Sequence, residues 1–261
     1  MEQINNEKDL TLDRRAKLLE LLGSNGQVKV HELSAKFNVS EVTIRNDLDH
    51  LESKNLLIRT RGGALKTQRV GIDYHLNVKR KKNYKEKQAI GSKTAELIKE
   101  GDTIILDSGT TTMEVAKNIS NIKNLTVITN ALNIASQLVD YPDIKVIIPG
   151  GSLRRTSLSL IGAPAEQSLK NYFCDKLIMG VDGISFEYGI TTPNIEEAHI
   201  NRVMIDIAKE VIVVADSSKF LRRSFALISG INKIHTVVTD KNIPEEEYQK
   251  FINAGKKVVI V

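Results

Sequence analysis

Apolar residues in the first sixty positions recur at helical spacing. Leu18, Leu21 and Leu22 follow a start signal at Thr11 or Asp13 and stop at the turn-rich Gly23-Ser24-Asn25-Gly26. Val30, Leu33 and Phe37, at i, i+3 and i+7, predict a second short helix over 31–37, closed at once by the turn Asn38-Val39. Ser40 can cap a third helix whose buried stripe is Ile44, Leu48 and Leu51. Thr43 stands where Glu or Gln would complete a capping box, so the box is incomplete. In LLIRTRGGAL, Leu56 and Ile58 then alternate with Leu57, Arg59 and Arg61, and Gly62-Gly63 reads as a tight turn, the pattern of a β-wing.

From about Tyr84 the period changes to short β-branched runs, most of them separated by helix-length segments. The runs are 103–106, 125–129, 144–148, 176–179, 211–215, 236–239 and 257–261. Strands apolar at successive positions are buried on both faces, which predicts an open, mostly parallel α/β sheet. The expected organisation is a winged helix-turn-helix over 1–62, a linker over 63–83 and an α/β domain over 84–261.

Composition bears out that division. With 261 residues, 41% apolar and 26% charged, the chain supports one large domain and a small one. Up to residue 85 there are 17 Lys+Arg against 11 Asp+Glu, and beyond it 20 against 21, so the positive charge belongs to the head. A basic head implies a polyanion partner, with a merely solvated charged face as the alternative. Cys174 is the only cysteine, which excludes an internal disulfide and a cysteine-rich metal site and fits a reducing cytosol. His31, His50, His75, His199 and His235 never fall at metal-ligand spacing, so neither metal nor cofactor is expected. The start MEQINNEKDL is polar, and no apolar run approaches the ~18 residues needed to span a bilayer, so a cytoplasmic protein without a membrane partner is expected.

Thr43, Asn46 and His50 face away from the buried stripe, with Arg45 on its flank. They are donor-bearing side chains on the early turns of the second helix of a helix-turn-helix, where a major groove is met. Arg59 and Arg61 fall on one strand face, within reach of phosphates or the minor groove. A three-helix module that packs against protein partners is the alternative, but the basic excess, the short turn and the Arg-bearing wing coincide. The run KRKKNYKEK at 79–87 is expected to be a solvated helix start, with a DNA-backbone contact as its alternative.

In open parallel sheets, ligands sit beyond the C-terminal strand ends. Here those ends carry Asp107-Ser108-Gly109-Thr110-Thr111, Asn130, Pro149-Gly150-Gly151 with Arg154, Gly180-Val181-Asp182-Gly183, and Asp216-Ser217-Ser218-Lys219. One DSGTT is also an ordinary βα turn. The conjunction points further: backbone N–H groups at a helix start with Thr hydroxyls suit a phosphate, and Arg154 or Lys219 can add charge. Asp182 and Glu197 are candidates to receive sugar hydroxyls, while Asp107 and Asp216 are read as turn formers.

Residues 28–65, VKVHELSAKFNVSEVTIRNDLDHLESKNLLIRTRGGAL, resemble the helix-turn-helix signature of the DeoR family of bacterial sugar-responsive transcription regulators. By position, the resemblance implies that Ser40, Thr43, Arg45 and Asn46 meet DNA. Many members carry a second Arg where Asn46 stands, which favours guanine where Asn favours adenine. Residues 84–261 resemble the family's effector domain, itself similar to ribose-5-phosphate isomerases. GGSLRRTSLSLIG, GVDGI, GITTPNIEEAHINRVM and VADSSKF look most like the subgroup governing N-acetylgalactosamine and related amino sugars. SGTTT, GVDG and DSSK stand where the isomerases have their phosphate loop, aspartate-rich loop and DESK-type segment. The second aspartate and the following lysine of the isomerases have no counterpart, and Glu197 without those partners is a poor proton-transfer device. The resemblance therefore implies a repressor of sugar or amino-sugar genes, not an enzyme, and a homo-oligomer on double-stranded operator DNA. Its effector would be a phosphorylated sugar bound by Ser108, Gly109, Thr110, Thr111, Asn130, Gly151, Arg154, Asp182, Gly183, Glu197 and Lys219. A phosphosugar isomerase or deaminase with a DNA-binding head, and an activator built from the same parts, are the alternatives.

Overall fold

The computed structural model describes residues 2–53, 56–66 and 72–261, with the backbone alone at 2–10, 12, 24 and 66. They form two units, the first ending at Tyr74 and the second beginning at His75.

The first unit runs α1 (Glu2–Asn25), β1 (Gln27–Lys29), α2 (Val30–Phe37), α3 (Glu41–Ser53), β2 (Leu57–Thr60) and β3 (Gly63–Lys66). Helix α1 starts well before the expected Thr11 or Asp13, because residues 2–10 contain no Gly or Pro to stop it. Helix α2 ends at Asn38, whose left-handed φ of 51° lets its N–H reach back to Ala35. Leu18, Leu22, Leu33, Ile44, Leu48 and Leu51 are buried together as the helical spacing predicts. Asp47, 1% exposed, was no part of that stripe: it accepts from Arg14 Nε and from Arg15 Nε at 2.7 Å, pinning α1 to α3. The three strands form one antiparallel sheet in the order β1-β3-β2. Gly63 thus opens a paired strand and not a linker, and Arg61 sits in the turn beyond Thr60 and not on the face of β2. Of the expected linker over 63–83, residues 67–71 lie outside the described residues.

The second unit begins with α4 (Leu76–Lys81) and α5 (Tyr84–Ala95), so the tail of the expected linker is helical. There follow β4 (Thr103–Leu106), α6 (Thr110–Lys117), β5 (Leu125–Thr129), α7 (Leu132–Leu138), β6 (Ile144–Ile147), β7 (Ser152–Arg154), β8 (Ser159–Ile161), α8 (Ala163–Leu169) and β9 (Cys174–Gly180). The chain continues through β10 (Gly183–Ser185), β11 (Gly189–Thr192), α9 (Ile195–Asp206), β12 (Ala208–Val214), β13 (Ala226–Ser229), β14 (Thr236–Thr239), α10 (Glu245–Asn253) and β15 (Lys257–Ile260). Seven strands, ordered β15-β14-β12-β9-β4-β5-β6, pair in parallel throughout. They coincide with the seven apolar runs. One core layer takes Ile105, Leu177, Met179, Val211 and Val213, and the other takes Ile104, Leu106, Ile178, Ile212 and Val214, so alternate residues of each strand are buried on opposite faces. From β4 the chain winds outward one way through β5 and β6, then returns beside β4 with β9 and winds the other way. The strand order switches between β4 and β9, where a parallel α/β sheet opens a crevice for ligands.

Candidate functional site

In the first unit, α3 presents its polar face to solvent. Ser40 Oγ accepts from the Thr43 N–H at 3.1 Å, the N-cap expected of it, and lies 2.9 Å from Thr43 Oγ1, a hydroxyl pair that leaves the capping box incomplete. Arg45 and Asn46 are exposed, Arg45 in an ion pair with Glu41. One turn earlier Val42 is 61% exposed, an apolar residue on the same face that polar-residue reading passes over. The two arginines of the wing differ. Arg61 is exposed in the β2–β3 turn, whereas Arg59 is half-buried, donating from Nε to Asp49 at 2.7 Å and from Nη1 to the Gly63 carbonyl. The structure thus separates a pair that the sequence put on one strand face: Arg59 ties the wing to α3, and Arg61 marks its tip.

In the second unit, the switch point gathers the ends of β4, β9 and β12. Asp107, immediately after β4, is buried, with its N–H on the Ile178 carbonyl of β9. Burial, reinforced by Glu197, pushes its carboxyl well above the usual range. Ser108, Gly109 and Thr110 are half-buried and lead into α6, whose first N–H groups have no intrahelical acceptor. Gly109 faces Gly180 of β9 closely enough that a Cβ there would meet the Gly180 Cα at 4.0 Å. Asn130, after β5, is buried; its Nδ2 donates to the Leu160 carbonyl at 3.2 Å, while its Oδ1 has no hydrogen-bond partner among the described residues.

Asp182 lies between two ammonium groups, Lys219 Nζ at 3.4 Å and Lys79 Nζ at 2.8 Å. Burial alone would raise its carboxyl, but Lys79 and Lys219 outweigh burial and hold it well below the usual range. Lys79 comes from α4, and Lys87, only 3% exposed, from α5, so the run 79–87 is not simply a solvated helix start: two of its lysines turn inward. Periodicity could not show this, since four basic residues in succession leave no helical face to choose. Asp216 behaves as the turn former expected of it, capping Ser217–Lys219 through the Ser218 N–H at 3.1 Å. It also accepts from Asn83 Nδ2 at 2.6 Å, a partner the sequence did not suggest.

Arg154 and Glu197 are brought together. Glu197, 7% exposed, accepts from Arg154 Nη1 at 3.1 Å, from Ser159 Oγ at 3.2 Å and from Thr192 Oγ1 at 3.3 Å. Glu197, expected to receive sugar hydroxyls, thus has oxygens that already meet a cation and two hydroxyls. Gly151 and Gly183 are positions of close packing. A Cβ on Gly151, at φ +108°, would stand 2.6 Å from the Ile161 carbonyl oxygen, and one on Gly183 would stand 2.4 Å from that of Arg222. Among the described residues no group of three or more His, Cys, Asp or Glu could hold a metal ion, and no helix is long and apolar enough to cross a membrane.

Comparison with known proteins joins these two sites. The family model for the DeoR-like helix-turn-helix domain matches residues 14–69, and that for the DeoR C terminal sensor domain matches residues 82–241. A candidate aga operon transcriptional repressor of Escherichia coli O157:H7 is 39% identical over 96% of this chain and 94% of its own length. The transcriptional repressor AccR of Agrobacterium fabrum is 37% identical, covering 94% of this chain and 98% of that one. The HTH-type transcriptional repressor GlcR of Bacillus subtilis is also 37% identical, covering 90% of each. A solved ribose 5-phosphate isomerase A of Methanocaldococcus jannaschii aligns at 16% identity over 53% of this chain and 55% of that one, with a TM-score of 0.41, too slight a likeness to argue from. With both domains matched in order and relatives named as regulators along nearly the whole length, the chain belongs to the DeoR family of DNA-binding transcriptional regulators and is not an enzyme.

Proposed function

We propose that this protein represses sugar or amino-sugar catabolic genes, and that a phosphorylated sugar held at the β4–β9 switch point changes its affinity for operator DNA. The observation that carries the reading is the meeting of the Ser108–Thr111 loop, at the start of α6, with Asp182 and its two lysines at one edge of the sheet. N–H groups at a helix start and nearby ammonium groups suit a phosphate, and a carboxylate beside them suits sugar hydroxyls. The buried Oδ1 of Asn130, unpartnered among the described residues, supports a polar ligand at that edge. Similarity to an aga operon repressor favours an amino-sugar phosphate within that class.

On the DNA side, Arg45 and Asn46 are the base readers in this reading, and Val42 beside them offers an apolar contact for a thymine methyl. Ser40 and Thr43 orient the helix start toward phosphate, and Arg61 at the wing tip adds a backbone contact. The regulator works as a homo-oligomer, since operators repeat half-sites and two reading helices share the load. A ligand alters operator affinity only by binding the competent and incompetent states unequally; a coupling of about 1 to 3 kcal/mol changes affinity roughly 5- to 150-fold.

The test is titration of the purified protein onto its own upstream DNA at one fixed salt concentration, with and without a panel of hexose and amino-sugar phosphates. Sequence-specific binding that one sugar phosphate alters is the expected result. Binding indifferent to every member of the panel would remove the phosphosugar from the scheme.

A further inference from the structure

Helix α4 is attached at each end to parts of the candidate effector site. At its start, the Leu76 N–H donates to the Thr156 carbonyl at 2.9 Å, in the turn of the β7–β8 hairpin that also carries Arg154. At its end, the buried Lys87 ammonium donates to the Lys82 carbonyl at 2.6 Å and to the Lys79 carbonyl, holding the last carbonyls of the helix. Between them Lys79 Nζ reaches Asp182 Oδ2 at 2.8 Å, and the helix packs on α6, which opens with the Ser108–Thr111 loop. Asp182 therefore faces two ammonium groups, Lys79 and Lys219, with Glu197 and Asp107 also near Lys79 and Asp216 near Lys219. A phosphate dianion arriving at the start of α6 competes with Asp182 for those two ammonium groups.

We infer that Lys79 is an effector-contacting residue that exchanges Asp182 for the phosphate of a bound sugar phosphate, and that α4 is thereby coupled to occupancy of the site. The inference rests on the phosphosugar reading above and adds the residue that carries the signal. Lys219 is the poorer carrier, because its N–H is fixed to the Asp216 carbonyl at 2.9 Å within a 3₁₀ turn. Lys79 instead belongs to the first helix of the second unit, the element entered by the chain that leaves the DNA-binding unit at Tyr74. It also precedes residue 82, where the match to the sensor-domain model begins. Exchange opens Asp182 Oδ2 to a sugar hydroxyl while Lys219 stays on Oδ1, so phosphate and sugar are sensed together at one carboxylate.

The experiment uses the full chain. Calorimetry gives affinity for the panel member that wild type binds best and for inorganic phosphate, and hydrogen exchange follows residues 76–87 with and without each. For Lys79→Gln we expect affinity for the sugar phosphate to fall about ten- to hundredfold, the range for one charge-assisted hydrogen bond, and the ligand-dependent change in exchange at 76–87 to vanish. Lys79→Arg retains both within a few-fold. Asp182→Asn, which removes the competing carboxylate, binds inorganic phosphate several-fold more tightly than wild type. Wild-type affinity in Lys79→Gln, or unchanged or weaker phosphate binding in Asp182→Asn, overturns the assignment while leaving the phosphosugar reading intact. If wild type itself binds no member of the panel, that reading fails and takes this one with it.

Discussion

Arg154 and Glu197 form an ion pair with 3.1 Å between Nη1 and Oε1, although each was read from the sequence as a separate ligand group. Both side chains are nearly buried, at 11% and 10% exposure, and Ser157 Oγ accepts a second bond from Arg154 at 2.8 Å. The pair joins the β7–β8 hairpin to the first turn of α9.

Breaking such a pair from one side leaves an uncompensated buried charge. Arg154→Met alone is expected to destabilise the second unit by about 3 to 5 kcal/mol, whereas Arg154→Met with Glu197→Gln recovers a large part of that loss. Urea unfolding of the single and double variants measures the difference. A double-variant loss equal to the sum of the Arg154→Met and Glu197→Gln losses would show that the two side chains act independently.

The wing arginines should part company in DNA binding. Arg61→Ala is expected to weaken binding to all sequences alike and to lower the slope of log K against log salt by about one, as removal of a single phosphate contact does. Arg59→Ala should instead loosen the wing, because Asp49 and the Gly63 carbonyl lose their donor. Asn46→Ala should relax discrimination at one base pair by about 1 to 3 kcal/mol. Salt titrations on operator and scrambled DNA separate the three outcomes.

Lys87 gives a pH test. Burial, with Lys219 and Lys79 nearby and against the opposing pull of Asp216, brings its ammonium down to about 8 from an ordinary 10.5. Between those values the unfolded chain binds the extra proton, so stability rises with pH, by at most about 3 kcal/mol at about 1.4 kcal/mol per unit. Lys87→Met should lack that component of the rise between pH 8 and 10. Parallel pH–stability curves for the two proteins would refute it.

Much of the fold was legible because its signals are local. Seven apolar runs became the seven parallel strands, since a strand buried on both faces must be apolar at successive positions. The stripe Ile44, Leu48, Leu51 marked the inner face of α3, and the strand ends Ser108–Thr111, Asp182 and Lys219 converge at the switch point that parallel topology creates. The short strands β7, β8, β10, β11 and β13 were missed: three or four residues carry too little periodicity to stand out from a loop.

What the sequence determined by itself, then, was the periodicity that makes each long element and the chemistry available at its ends. What only the tertiary structure decided was which charges meet. Lys79 and Asp182 are 103 positions apart, Arg154 and Glu197 are 43, and Arg14 and Asp47 are 33. No spacing rule links such pairs, because a buried charge finds its counter-ion through the packing of whole elements, and that packing exists only once the sheet and its covering helices have closed.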